Sequence, residues 1–186
     1  MRIIGGNFKG KKIFLPQDKN TRPLRDLVKE SIFNFLEHSN QIYFKFKDAN
    51  ILDLFSGSGA FGIECISRGA KNVFFIENYS EALKTLKRNI STLNIFDKSH
   101  ILEKDCFKIL NYKKDFTSKF DVIFIDPPYK ENKINLLVNE IKNEQILSKN
   151  GLIIIHRHKK DDLILTNKLN IIDTRRYGIS KIIVGN

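Results

Sequence analysis

The chain has 186 residues, 41% of them hydrophobic and 15 of them Phe, which suits one domain with a real core and a small appendage. Thirty-two Lys and Arg against 21 Asp and Glu give a net charge of +11. That excess points to a polyanionic partner, although abundant Lys, Asn and Ile also fit drift in an AT-rich genome. No apolar run approaches the roughly 20 residues that span a bilayer, and Met1-Arg-Ile-Ile-Gly-Gly6 lacks the apolar region of a secretory signal. The two cysteines, Cys65 and Cys106, suit a reducing, cytoplasmic compartment, as small core residues rather than nucleophiles or a disulfide.

In chain order, residues 2–16 predict two short strands around a glycine-rich turn, broken by Gly5, Gly6 and Gly10. Arg2, Lys9, Lys11 and Lys12 charge this arm. It suits either contact with nucleic acid or packing as a solubilising hairpin. Residues 21–36 predict a helix with Pro23 in its first turn. Leu24, Leu27, Val28, Ile32, Phe35 and Leu36 share one face at helical spacing, with Arg22, Arg25 and Lys29 off it. Arg22, just before the helix, is singled out as a substrate or phosphate contact. Residues 1–40 thus form a basic amino-terminal unit. Residues 41–186 form the main domain, entered by a linker carrying Tyr43, Phe44 and Phe46.

Strands are expected at 50–55, 72–77, 99–104, 120–126 and 151–156, with helices from Ser58 or Gly59 to Arg68, at 80–93 and at 132–147. Gly69 is a helix stop. Residues 170–176 and 180–184 are two further strands joined at Tyr177-Gly178. Alternation of strand and helix implies an α/β fold with a mostly parallel sheet, and the closing hairpin implies an antiparallel strand at one end.

Two stretches carry the chemistry. Gly57-Ser-Gly-Ala-Phe-Gly62 matches G-x-G-x-x-G, follows a strand and opens a helix. Its glycines let backbone approach a ligand, and the helix start favours negative charge. Glu77, ending the next strand, stands where an acid accepts bonds from ribose hydroxyls. Asp53, four residues before Gly57, suits a cationic amino group better than a pyrophosphate. Asp105, after the third strand, can accept a bond from an adenine amino group. The second stretch is Phe124-Ile-Asp-Pro-Pro-Tyr129. Proline lacks the backbone donor of a sheet ladder, so the chain leaves the sheet there. Asp126 and the carbonyls of Pro127 and Pro128 offer acceptors for an amino group, and Tyr129 offers a flat face for a base.

With these residues in hand the sequence resembles the RsmD family, bacterial enzymes that methylate the exocyclic N2 of a guanine in 16S rRNA with S-adenosyl-L-methionine. The matching residues are Arg2-Ile-Ile-Gly-Gly6 with Lys9-Gly-Lys11; Thr21-Arg-Pro23 with Asp26 and Val28-Lys-Glu30; Asp53-Leu-Phe-Ser-Gly-Ser-Gly59; Gly62-Ile-Glu64; Ser67-Arg-Gly-Ala70; Asp126-Pro-Pro-Tyr129; and Tyr177-Gly178. The resemblance implies a class I, Rossmann-like methyltransferase fold of seven strands with the last antiparallel. It implies cofactor contacts by Asp53, Phe55, Gly57, Gly59, Glu77, Asn78, Asp105, Cys106 and Asp126. It implies amine capture by Asp126 and the Pro127 carbonyl, and base stacking by Tyr129. RNA contacts would come from Arg2, Lys9, Lys11, Arg22, Arg25, Pro128 and Tyr129, on 16S rRNA in a small ribosomal subunit or its assembly intermediate, with the enzyme a monomer. Two departures stand out: His156-Arg-His158 replaces an acidic residue after the fifth strand, and Cys106 stands where a small residue such as Ala is expected.

Competing readings are an amino-methyltransferase on adenine N6 of DNA or on a protein amide, a non-catalytic RNA-binding module, and, further off, a nicotinamide oxidoreductase. His38, His100, His156 and His158 show no metal-ligand spacing with Cys65 or Cys106, so no metal is expected. His156 and His158 read as rim residues beside Arg157.

Overall fold

A computed structural model describes residues 1–18, 24–108, 114, 116, 118–161, 165 and 168–186. Four apolar strand segments set the architecture: β1 (Asn50–Leu54), β2 (Asn72–Glu77), β4 (Phe120–Ile125) and the middle of β5 (Leu147–His158). Near-continuous apolar runs of this kind belong to parallel strands covered on both faces. With β3 (Ser99–Glu103), β6 (Ile171–Tyr177) and β7 (Ser180–Gly185) they form one sheet in the order β3-β2-β1-β4-β5-β7-β6. Strands β1 to β5 run parallel, and β7 lies antiparallel to both β5 and β6. This is the seven-stranded α/β architecture expected of a Rossmann-like methyltransferase.

The period-two alternation of strand side chains divides the core. Ile51, Val122, Phe124 and Ile154 face one side, against helices α1 (Asp26–His38), α2 (Ala60–Ser67) and α3 (Ser80–Leu93). Leu52, Ile123, Ile125 and Ile153 face the other, against α4 (Ile134–Asn143). Gly69 ends α2 at φ +110°, as its position predicts, and its N–H donates to the Ile66 carbonyl at 3.1 Å. The strand order reverses between β1 and β4, which is where ligands of such sheets bind.

The amino-terminal arm departs from expectation. Its two ends meet at the isolated bridge Arg2–Lys12 rather than as a pair of strands, around a short 3-10 turn, Gly6–Phe8. Side chains of α2 and α3 hold it in place. Glu64 accepts bonds from the N–H groups of Ile4 and Gly5 at 2.9 and 2.7 Å. Asn89 accepts from the Phe14 N–H and donates to the Phe14 carbonyl. Helix α1 begins at Asp26, later than Pro23 suggests, and its buried face is displaced. Leu27 is 64% exposed, whereas Phe33 and Lys29 are fully buried. Lys29 reaches the Arg2 carbonyl at 2.6 Å and lies 3.6 Å from Glu64. Burial pushes its ammonium below the usual lysine range, while Glu64 and Asp26 oppose that. A charge that the helical pattern places off the packed face is therefore buried, because its partners, the Arg2 carbonyl and Glu64, come from distant segments. The fifth strand is also longer than expected and contains Leu147, which the sequence pattern places in the preceding helix.

Candidate active site at the strand switch point

The carboxyl ends of β1, β2 and β4 open into a cleft of about 610 Å³. Asp53, Phe55, Gly57, Glu77, Asn78, Asp105, Asp126, Pro127, Pro128 and Tyr129 all line it. Sequence reasoning thus brought together residues from four strand ends. It missed Pro16 and Leu24, which border the same cleft and flank the stretch that holds Arg22. Arg22 itself lies outside the described residues. Tyr79, also on the wall, donates its hydroxyl to Asp18 at 2.7 Å and so ties the amino-terminal segment to the cleft. Nothing in the sequence pairs two residues that far apart.

At the end of β1 the backbone turns sharply. Phe55 takes φ +57°, a left-handed value uncommon for a bulky residue, and such strain is held where the surroundings over-determine it. The glycines then divide the work. Gly57, at φ +56°, has nothing within 4 Å of an added Cβ, so its backbone faces open cleft. Gly59, at φ +80°, does not line the cleft: a Cβ there would lie 2.5 Å from Leu86 Cδ1. Its role is to let α2 approach α3 and the sheet. Cys106 is likewise displaced from its expected place among the cleft residues. Its thiol is buried, accepts the Phe55 N–H at 3.2 Å and points to the Ile76 carbonyl at 3.6 Å. Burial raises the thiol far above its usual range, which leaves it unreactive. Cys65 is raised for the same first reason and belongs to the core.

The carboxylates differ in how they are held. Asp53 is 1% exposed and accepts the Gly62 N–H at 3.0 Å. Burial pushes its carboxyl well above the usual range; the Gly62 bond opposes this, and the carboxylates of Asp126 and Glu77 add to it. Glu77 accepts the N–H groups of Gly57, Asn78 and Tyr79 at 2.8 to 2.9 Å and so braces the glycine loop against the start of α3. Asp105 accepts the Phe107 N–H at 3.0 Å. Asp126 lies 2.8 Å from Nδ1 of His156.

The Pro-Pro-Tyr turn is clamped from behind. Arg157 donates to the carbonyls of Pro128, Tyr129 and Glu131 at 3.3, 3.1 and 2.7 Å and pairs with Asp161. The Pro128 carbonyl therefore faces Arg157, a correction to its expected place among the acceptors for an amino group. The expectation that His156 is a rim residue is also corrected. It is 2% exposed, and its Nε2 lies 2.9 Å from Ser180 Oγ. His158 stays partly exposed and meets the Tyr129 ring edge-on at 5.0 Å.

The predicted basic contacts lie elsewhere. Arg2, Lys9, Lys11 and Arg25 are exposed on the arm and at the start of α1, and Lys11 sits 5.0 Å above the Phe8 ring. Among the described residues no cluster of His, Cys, Asp and Glu could hold a metal ion, and no helix is long and apolar enough to cross a membrane.

The set fits S-adenosyl-L-methionine. Asp53 on the cleft wall is buried beside the carboxyl groups of Asp126 and Glu77, which disfavours its charged form, and a cationic amine placed there would offset that by favouring the carboxylate. The space above Gly57 admits close backbone approach, and Glu77 and Asp105 stand at neighbouring strand ends.

The model of the family described as conserved hypothetical protein 95 matches residues 1–186. "Ribosomal RNA small subunit methyltransferase D" of Buchnera aphidicola from Acyrthosiphon pisum is 37% identical over 163 residues, covering 88% of this chain and 81% of that protein. The protein of the same name from Haemophilus influenzae is 30% identical over 181 residues, covering 96% and 90%. Among solved structures, an Escherichia coli protein provisionally described as a methyltransferase matches with a TM-score of 0.83 at 25% identity, covering 100% of this chain and 96% of that one. A protein from Thermus thermophilus, described there as hypothetical, matches with a TM-score of 0.79 at 25% identity, covering 99% and 98%. The chain therefore belongs to the RsmD family, whose model is the one described as conserved hypothetical protein 95.

Proposed function

We propose that this chain transfers a methyl group from S-adenosyl-L-methionine to the exocyclic N2 amino group of a guanine in small-subunit 16S rRNA. The observation that carries the reading is the meeting of Asp53, the glycine loop and the Asp126-Pro-Pro-Tyr129 turn in one cleft at the strand switch point. The names of the small-subunit rRNA relatives supply the substrate class.

In this reading Asp53, Gly57, Glu77, Asn78 and Asp105 hold the cofactor, which when bound brings a methyl group already activated for transfer. Asp126 and the Pro127 carbonyl accept hydrogens from the amino group. The lone pair of that nitrogen is delocalised into the guanine ring. Two acceptors on its hydrogens turn it toward the methyl group and stabilise the positive charge that grows on nitrogen. Tyr129 stacks on a base that has left its helix. Arg157 fixes the turn that presents both acceptors. The exposed Arg2, Lys9, Lys11 and Arg25 carry the phosphate contacts, and the amino-terminal unit serves as the RNA-contacting part of a cytoplasmic, monomeric enzyme.

The test is transfer of labelled methyl groups to unmethylated small subunits, naked 16S rRNA and duplex DNA. Label on rRNA or on the subunit supports the reading. Label confined to DNA keeps the fold and cofactor but removes the substrate. No label on any of these acceptors, with cofactor still bound, would remove the nucleic-acid substrate and point to another acceptor such as protein.

A further inference from the structure

We infer that His156 is a positioning residue for Asp126, acting as the inner link of a buried Asp126–His156–Ser180 hydrogen-bond chain. This rests on the role proposed above for Asp126. The backbone sets up the chain. In the parallel β4–β5 pair Ile125 lies opposite Ile155, so Asp126 and His156 are the next residues along two neighbouring strands. In the antiparallel β5–β7 pair His158 lies opposite Ser180 and His156 opposite Ile182. Ser180 therefore starts β7 beside the imidazole. The distances are 2.8 Å from Nδ1 to Asp126 Oδ1 and 2.9 Å from Nε2 to Ser180 Oγ. His156 and Ser180 are both almost completely buried, while Asp126 reaches the cleft.

The proton arrangement follows from donor and acceptor chemistry. An ionised carboxylate only accepts, so Nδ1 must carry the hydrogen it shares with Asp126. In the neutral ring Nε2 is then the acceptor and takes the Ser180 hydroxyl hydrogen. Ser180 thus selects the tautomer that points N–H at Asp126. Each carboxylate oxygen accepts more than one hydrogen bond, so the bond to His156 leaves Asp126 able to take an amine hydrogen from the cleft. The bond fixes the plane of the carboxylate, and with it the direction in which the substrate amine is held. An acidic side chain at position 156 could not do this in its ionised form, because two carboxylates at that distance repel.

Two measurements decide it. First, a long-range 15N–1H spectrum of the imidazoles in the wild-type chain should show His156 as the neutral Nδ1–H tautomer, and Asp126→Asn should disturb that signal. An Nε2–H tautomer, or a signal indifferent to Asp126→Asn, overturns the proposal whether or not any acceptor is methylated. Second, His156→Ala should lower kcat for rRNA methylation by about tenfold to a hundredfold, the scale of a misdirected reacting group. KM for the cofactor should stay within about twofold. His156→Asn, whose amide nitrogen stands near the place of Nδ1, should recover most of the rate. Equal losses in kcat, cofactor affinity and melting temperature, without rescue by Asn, mean a purely structural histidine and overturn the proposal. A wild-type chain with the expected tautomer and no activity on rRNA would instead remove the substrate reading.

Discussion

Asp53 and Asp126 lie on adjacent strands and line one cleft, yet they are held by different means. Asp53 is closed in, fixed by the Gly62 N–H, and pushed toward its neutral form by burial. Asp126 is 14% exposed and bonded to a side chain from another strand, His156. The first carboxylate is set by local backbone, since the loop that needs it also supplies its partner. The second depends on side chains some thirty residues away in sequence. The cofactor half of the cleft should therefore tolerate change in β5 and β7. The acceptor half should be sensitive to β5 and β7.

The largest effect that would break this contrast is at Asp126. Asp126→Ala is expected to lower the single-turnover methyl-transfer rate by about 100-fold to 1,000-fold, the scale of one preorganised electrostatic contact. Cofactor affinity by calorimetry should change only a few-fold. Equal losses would make Asp126 part of the cofactor half. Next comes Gly59→Ala, which must accept φ +80° and press a Cβ onto Leu86. It should cost about 2–4 kcal/mol in denaturant unfolding. Gly57→Ala, with open space around it, should cost about 1–2 kcal/mol and act mainly on cofactor binding.

Asp53 gives a pH signature. Its folded-state pKa is raised, so the folded chain holds a proton that the unfolded chain releases. Stability should fall as pH rises from the ordinary carboxylate range through the raised folded value. Asp53→Asn should flatten that slope in melts across pH. A cationic amine bound beside Asp53 favours its charged form. Cofactor binding should then release a proton, seen by calorimetry in buffers of different ionisation enthalpy and lost in Asp53→Asn. The smallest effects belong to the arm. Lys9→Ala and Lys11→Ala should each reduce the slope of log affinity for rRNA against log salt by about 0.7–1, with little change in kcat.

What the sequence made legible follows the same division. The glycine loop, Asp53, Glu77 and the Asp-Pro-Pro-Tyr turn were readable because each is a short local pattern at a strand end. Gly59 was misplaced because G-x-G-x-x-G does not say which glycine meets ligand and which meets a helix; only the Leu86 contact does. Lys29 looked solvated because its partners, Glu64 and the Arg2 carbonyl, come from other segments. His156 looked like a rim residue because sheet register, not spacing, brings it between Asp126 and Ser180. One signal was present: the run from Leu152 to Ile155 is wholly apolar, so a histidine that continues the strand is as deeply placed as the isoleucines before it.

The most direct measurement is identification of the methylated atom. After reaction with unmethylated small subunits, the rRNA would be digested to nucleosides and resolved by chromatography and mass spectrometry. The account predicts N2-methylguanosine, at one site, lost in Asp126→Ala. Methyl on a ring nitrogen, a ribose hydroxyl or a pyrimidine carbon would contradict it, since none of these presents the amino hydrogens that Asp126 and the Pro127 carbonyl are placed to accept.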